Sequence, residues 1–382
     1  MRIEVRLPRI EPERYDMPKR CPYEKCDGRH HKPYGLKGEE KAIRDLRHRG
    51  VLSYRRRCLK CGRRFRVYPQ GVSSAQQSKR LKAITVLLYV LGLSYGAVSD
   101  FTCALGCVVS KTAVYYNVQE AGEKARKHQH RTVKRGGKRP VVGADGTYVK
   151  IKGEQVGIEV VVDDESGELL GLDIVVSENG EDILDVIKDV AEEVDADVIV
   201  SDDHGAYKEA AIKLGLDQQI CRSHVKRNVD ELVESIQEQL KRKEPKPKGV
   251  RSSPEDLRED LEVLQKLVRE RPKDAVDRLE KLYARYQAAP APRKGQRQTA
   301  WYRTRMLVTR LWDRWPSLTL DQRREDLDGT NNSCERLIGW WIKERYRTMR
   351  GYKRTESIKN VVTLTARMGV RSGHYNMSEL YN

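Results

Sequence analysis

Phenylalanine is almost missing from this chain: 382 residues hold two of them, beside 18 tyrosines and five tryptophans. With 34% of the residues charged, that scarcity leans toward a heat-adapted composition, in which ion-pair networks carry more of the stability. No apolar run approaches the roughly 20 residues needed to cross a bilayer, which excludes a helical membrane span. The opening stretch, MRIEVRLPRIEPERYDMPKR, has no apolar centre of the kind a secretory signal needs, so a soluble cytoplasmic chain is expected. No long heptad repeat announces a coiled coil. The length suffices for two or three domains with sizeable cores, and folding need not depend on crosslinks. Eight cysteines in a reducing compartment are then expected as thiols or metal ligands, above all where they come in close pairs.

Acidic residues are scarce near both ends and crowded in between. Residues 1–80 carry 23 Lys and Arg against 9 Asp and Glu, a net +14, and residues 335–371 carry 10 against 3, a net +7. Residues 141–221 reverse the sign, with 5 against 21, a net −16, inside a chain whose total is +18. Any one such run reads as a solvated face. Three alternating blocks suit a polyanion gripped by the flanks while cations collect in the middle.

The first basic block contains CPYEKCDGRHH and RRRCLKCGRRFRVYP. In Cys58-x-x-Cys61-Gly, one tight turn aims two thiolates at one metal, and Cys21 with Cys26 can complete a tetrahedral zinc site. His30 or His31 is close enough in sequence to replace one thiolate, and unpaired buried cysteines are the plain alternative. Arg55, Arg56, Arg57, Arg63, Arg64 and Arg66 surround the second knuckle, a platform suited to phosphate contacts.

Helical periodicity follows. Leu81, Ile84, Leu87, Leu88 and Leu91 form one apolar stripe closed by Gly92; a short helix fits residues 95–105; Gly106 breaks the chain; and Ser110 caps a third helix. The outline is that of a helix-turn-helix, with Lys111, Thr112, Tyr115, Tyr116 and Asn117 as candidate DNA contacts, although any three-helix bundle gives the same pattern. Cys103 and Cys107 read as core. Residues 128–140 read as a linker.

The period then changes. VVGADGTYVKI, QVGIEVVVDD and ELLGLDIVVS predict three successive strands, and a helix with Ile183, Val186, Ile187 and Val190 on one face precedes the buried strand DVIVS. A second helix and a short strand ending in ICRSH complete the order of a ribonuclease-H-like fold. Asp145 lies on the first strand and Asp202 ends the fourth, which is expected beside the first. Carboxylates on neighbouring strand ends can share a divalent cation, and a third from elsewhere completes a two-metal site.

These segments resemble the DDE transposases of the ribonuclease-H-like superfamily, in particular the Mutator-like group and related prokaryotic insertion-sequence enzymes. GADGTYVK resembles the first-aspartate motif and VIVSDDHGAY the second. QQICRSHVKRN resembles the C-x-x-H element of that group, and TNNSCERLIGWWIKERYRTMRGYK its asparagine, glutamate and basic-helix motif. The resemblance implies a metal-binding triad of Asp145, Asp202 and Glu335, with two Mg²⁺ or Mn²⁺ ions. Asp203 is a rival ligand, but the residue directly after the apolar strand is the one expected to face the metal. Cys221 and His224 have metal-pair spacing with no second pair near them, so they are expected to brace the active site rather than to bind zinc. Arg222, Lys226, Arg227 and Asn228 are expected at a phosphate, and Arg336, Lys343, Arg345, Arg347, Arg350 and Lys353 along the DNA beyond Glu335.

The 132 residues between Asp202 and Glu335 form an all-helical insertion on this reading, with breaks at residues 245–254 and 290–295. Its Trp301, Trp312 and Trp315 read as core, with base stacking as the functional alternative; Trp340 and Trp341 are expected to face the core. The expected architecture is a multidomain α/β chain: a zinc ribbon (1–72), a helix-turn-helix (73–127), the linker, a core with a mixed five-stranded sheet (141–228 and 327–382) and the insertion (229–326). The resemblance implies a nucleoid-associated prokaryotic enzyme that binds double-stranded transposon ends and target DNA, at least as a homodimer. A transposase-derived DNA-binding protein that no longer cuts, and a nuclease or resolvase of the same fold, are the other readings.

Overall fold

The computed structural model describes residues 4–35, 37–175, 180–242, 244–349, 351–369 and 374–381. Arg350 and the end of the third expected strand, Val176 and Ser177, lie outside them. The chain forms two compact units, residues 1–132 with 149–155 and 337–382, and residues 133–148 with 156–336. Among the described residues no helix is long and apolar enough to cross a membrane.

Short strands open the first unit: β1 (Glu4–Arg6), β2 (Glu11–Tyr15), β3 (His31–Pro33), β4 (Glu39–Ala42), β5 (Gly50–Cys58), β6 (Arg64–Val67) and β7 (Pro69–Gln70). β5 pairs antiparallel with β3, β4 and β6. Three helices follow, α1 (Lys79–Val90), α2 (Tyr95–Ala104) and α3 (Lys111–Arg135). Ser78, Ser94 and Ser110 cap them, each accepting from the N–H three residues on, which satisfies a helix-end donor.

Several expectations for this unit need correction. Helix α3 continues through His128 to Arg135, so most of the presumed linker is helical; only at Gly136 and Gly137 does helix-breaking sequence begin. The buried side of α1 is Leu81, Ala83, Thr85, Val86, Leu87, Tyr89 and Val90, while Ile84 and Leu88 are half-buried and Leu91 is exposed. Cys107 is buried as expected, but Cys103 is exposed.

The second unit is built on β8 (Val141–Ile151), β9 (Glu154–Asp163), β10 (Leu169–Val175), α4 (Gly180–Val194), β11 (Val198–Ser201), α5 (Gly205–Leu214) and β12 (Asp217–Ile220). The strands form one mixed sheet in the order β10-β9-β8-β11-β12. β8 and β9 turn through Lys152 and Gly153, both at positive φ, as a tight primed hairpin requires. β11 is parallel to both β8 and β12, and its four residues are all buried, the mark of a central parallel strand. One face of the sheet packs Val142, Ala144, Val161 and Ile199 with Ile183, Ile187 and Val190 of α4 and Tyr207 and Ala210 of α5. On the other face Val141, Val198 and Val200 meet Leu320 and Leu327.

Between the sheet and its returning segment lies a helical body: α6 (Arg222–Lys241), α7 (Pro254–Glu270), α8 (Ala275–Tyr286) and α9 (Ala300–Leu318). Residues 254–287 have one helical period but form two helices, because Arg271 adopts a left-handed conformation and Pro272 offers no N–H to continue the ladder. Trp301 and Trp315 are buried in the body's core and Trp312 packs against it, so all three serve packing.

After the body comes α10 (Asn332–Leu337), and then, in the first unit, a π-helical stretch Ile338–Lys343, α11 (Glu344–Arg347), α12 (Thr355–Gly369) and β13 (His374–Asn376), the last parallel to β1. The π-helical stretch shifts the period, burying Ile338 and Ile342. Trp340 is 67% exposed and Trp341 is half-buried, contrary to the core placement expected for both. The architecture is thus a multidomain α/β chain with a five-stranded mixed sheet.

Trp301 is fully buried and its indole N–H donates to the Ser252 carbonyl at 3.1 Å. Trp301→Ala is expected to destabilise the second unit by about 3–5 kcal/mol, read as a lower urea midpoint for that unit.

Candidate active site

The register of the sheet brings the first two acids together. Val198, Ile199 and Val200 of β11 lie opposite Val141, Val142 and Gly143 of β8, so the register sets Asp145, midway along β8, beside Asp202 where β11 ends. Asp202 follows the last residue of β11, and its Oδ1 accepts from the His204 N–H at 2.9 Å. Asp203, the rival, is engaged elsewhere: Arg310 Nε donates to its Oδ2 at 2.7 Å and Arg314 Nε lies 3.1 Å from its Oδ1.

Glu335 arrives by way of Asn331, which is fully buried. The Asn331 side-chain amide donates to the Ala144 carbonyl at 2.8 Å, its backbone N–H to Cys221 Sγ at 3.4 Å, and its carbonyl accepts from the Glu335 N–H at 3.0 Å. Gly143 makes room: a Cβ there would stand 2.7 Å from Asn331 Oδ1. Ser333 adds a bond from its hydroxyl to the Asp164 carbonyl at 2.7 Å, fixing the first turn of α10 on the sheet. His224 Nε2 lies 3.6 Å from Glu335 Oε1, and the donor atoms of Cys221, His224 and Glu335 all fall within 4.8 Å of one another.

The electrostatics record this crowding. Burial and then the charge of Asp202 push Asp145 up to about 6, with Glu335 adding to the rise and the Gly146 N–H and His224 opposing it. A fourth acid, Glu159 of β9, stands behind. It is buried, accepts from the Tyr207 hydroxyl at 3.0 Å, and burial drives it up to about 8. Asp145, Asp202, Glu159 and Tyr207 line one cavity of about 200 Å³. Sequence reasoning passed over Glu159, although a lone acid inside the apolar run GIEVVV was a readable signal. Cys221 lies below its ordinary value: burial raises it, and the neighbouring His224 with the His224 and Asn331 N–H groups outweighs that.

The four N-terminal cysteines also meet. Cys21 Sγ is 3.7 Å from Cys61 Sγ and Cys26 Sγ is 3.8 Å from Cys58 Sγ, close to the ~3.8 Å edge of a tetrahedron whose centre is about 2.3 Å from each sulfur. Gly28 permits the approach, since a Cβ there would lie 2.7 Å from Cys58 Sγ. The group comprises the four thiols and neither His30 nor His31.

The expected DNA contacts divide. Arg57, Arg63 and Arg64 are exposed, as are Lys111, Thr112, Arg222, Lys226, Arg227, Asn228, Lys343, Arg347 and Lys353. Arg55 is exposed but ion-paired with Glu39 at 2.8 Å, and Arg56 is half-buried. Asn117 is not a DNA contact: it is buried and donates to Gln77 at 2.8 Å and to Thr85 at 3.0 Å, tying α3 to α1. Tyr115 is turned inward on Tyr95 and Ser357, leaving Tyr116, 65% exposed, as the outward ring. Arg345 is buried, stacked 4.0 Å over the Tyr89 ring and bonded to Thr348 and the Leu93 carbonyl, so it supports packing. Arg350 is outside the described residues. The exposed cations Arg131, Lys134 and Arg135 of α3 were hidden by reading that segment as a linker.

Asp145 and Asp202 side by side on a mixed sheet with Glu335 nearby, in a chain basic at both flanks, suit a protein of the nucleic-acid-processing class. Within it, the chain belongs to the Mutator family of transposases, whose family model (Transposase, Mutator family) matches residues 72–311. The match takes in Asp145, Asp202, Cys221 and His224, begins after the four clustered cysteines and ends before Glu335. No curated protein matches the chain.

Because Asp145 is held above the ordinary carboxylate value, the folded state binds its proton more tightly than the unfolded chain, and stability falls as pH rises from about 4 to about 6. Asp145→Asn is expected to stabilise the metal-free protein by about 1–3 kcal/mol at pH 8 and to change little at pH 4, measured by urea unfolding at both values.

Proposed function

We propose that this transposase cleaves DNA at element ends and joins the freed ends to target DNA, using Asp145, Asp202 and Glu335 on a ribonuclease-H-like core. The observation that carries the reading is that Asn331, whose carbonyl accepts the Glu335 N–H, donates to the Ala144 carbonyl beside Asp145. The three acids would hold two Mg²⁺ or Mn²⁺ ions. Bound there, such ions activate the attacking hydroxyl and offset the charge that builds on the phosphate. The donor set fits hard cations, which take oxygen ligands, and Asp145, raised by burial and then by the charge of Asp202, is a carboxylate that a cation would help to ionise.

The rest of the work falls to the chain. Glu335 is aimed by Asn331, and Asp203 is kept from competing by Arg310 and Arg314. Arg222, Lys226, Arg227 and Asn228, exposed at the start of α6, would hold phosphates beside Cys221 and His224. In the first reaction water attacks the phosphodiester at the element end, breaking the P–O bond and leaving a 3′ hydroxyl. In the second that hydroxyl attacks a target phosphodiester, and one P–O bond forms as another breaks. No covalent protein intermediate is required.

End recognition belongs on this reading to the first unit. Its four-cysteine group, as a zinc ribbon, would present Arg57, Arg63 and Arg64, and α1 to α3, as a helix-turn-helix, would place Lys111, Thr112 and Tyr116 at the DNA. Lys343, Arg347 and Lys353 supply further phosphate contacts. Joining two ends calls for at least a homodimer.

A cleavage and joining assay on labelled element ends with Mg²⁺ tests the proposal. Glu335→Gln is expected to lose at least about 100-fold in cleavage, the upper range for disturbing a metal's surroundings, while keeping end binding; specific binding with no cleavage by the wild type would sink it. Lys111→Ala is expected to weaken binding across sequences and to reduce the salt slope by about 1, whereas Asn117→Ala should lower stability and leave that slope unchanged.

A further inference from the structure

Cys221 and His224 are not explained by the three acids. A hard-cation site has no use for a thiol, and bracing accounts for only part of what surrounds these two residues. Cys221 is fully buried and stands at the N-cap of α6 without capping it through its side chain. Its sulfur instead accepts the Asn331 N–H at 3.4 Å. His224 Nδ1 is buried and makes no well-formed hydrogen bond, the ring has the Cys221 side chain as its neighbour, and Nε2 faces Glu335 at 3.6 Å. A buried imidazole nitrogen without a well-formed hydrogen bond is costly to maintain, and a cation held between the ring and the neighbouring sulfur would satisfy it. Sulfur, imidazole nitrogen and carboxylate oxygen within 4.8 Å are the three protein ligands of an open tetrahedral site, with water or another ligand as the fourth.

We propose that Cys221, His224 and Glu335 form a site for a thiophilic divalent cation of the zinc type, and that it competes with Asp145 and Asp202 for the Glu335 carboxylate. Softness separates the two sites: thiolate and imidazole select zinc-like ions, and an all-oxygen set selects magnesium-like ones. Zinc held by Cys221 and His224 withdraws Glu335 from the other acids, so occupancy of this site restrains cleavage. The competition rests on the reading of Glu335 given under the proposed function; the metal site itself does not.

The test is a metal count on the full-length protein dialysed against buffered, low free zinc. Wild type is expected to retain one more zinc per chain than Cys221→Ser, and one more than His224→Gln, a half-exposed position where folding is less at risk. Equal counts in the wild type and both folded variants would overturn the site. The competition is read from zinc titrations of Mg²⁺-dependent cleavage, each protein scaled to its own zinc-free rate. Cys221→Ser should require at least tenfold more zinc for half-inhibition, and equal zinc sensitivity would overturn the competition. A wild type that counts the extra zinc but never cleaves would defeat the transposition reading and leave the metal site standing.

Discussion

The side-chain amide of Asn331 donates to the Ala144 carbonyl across 187 residues of sequence, and the candidate site depends on that bond. Gly143 vacates the space, β8 supplies the carbonyl beside Asp145, and the same asparagine carries the first turn of the helix holding Glu335. Removing any one of these would leave Ser333 as the remaining tie between the sheet and the first turn of the helix that holds Glu335. The bond is buried, so it forms in a low-dielectric setting where a lost partner is expensive. That burial makes the placement of Glu335 a property of the packed core rather than of a surface loop.

The second unit arranges like charges deliberately close. Asp145, Asp202 and Glu335 face one another, and Glu159 adds a buried acid behind them. An arrangement that penalises the free protein at neutral pH is retained where binding relieves the penalty. The basic residues lie outside this cluster. Arg310 and Arg314 are committed to Asp203, which keeps that acid from joining the cluster and keeps their own charge from neutralising it.

Much of this was legible in the sequence because it depends on period and spacing. The five strands were visible in runs such as DVIVS and QVGIEVVVDD, Asp145 in its place on the first strand and Asp202 in its place directly after the fourth. The four cysteines were visible in C-x-x-C with a second, looser pair. What escaped depends on the third dimension. Asn117 and Arg345 have the chemistry of DNA contacts, but a polar side chain on a helix with two packed faces can be needed inside, as Asn117 is between α1 and α3. The π-helical stretch Ile338–Lys343 moves Trp340 out to solvent, and no pattern based on a period of 3.6 anticipates that shift. The run from His128 onward resembled a linker because His, Gln, Arg and Lys hide an otherwise regular helix.

The helical body leaves the sheet and returns to it at nearly the same point, since the Arg222 N–H donates to the Gly329 carbonyl at 3.0 Å. A segment whose ends are one hydrogen bond apart can change length without stretching the framework that bears it. Helix α9 reaches back, through Arg310 and Arg314 to Asp203 and through Asp313 to Lys208. Helices α7 and α8 are therefore the portion of this chain most open to divergence, to shortening, or to replacement by a foreign module, while α9 must stay in register with the acid it restrains.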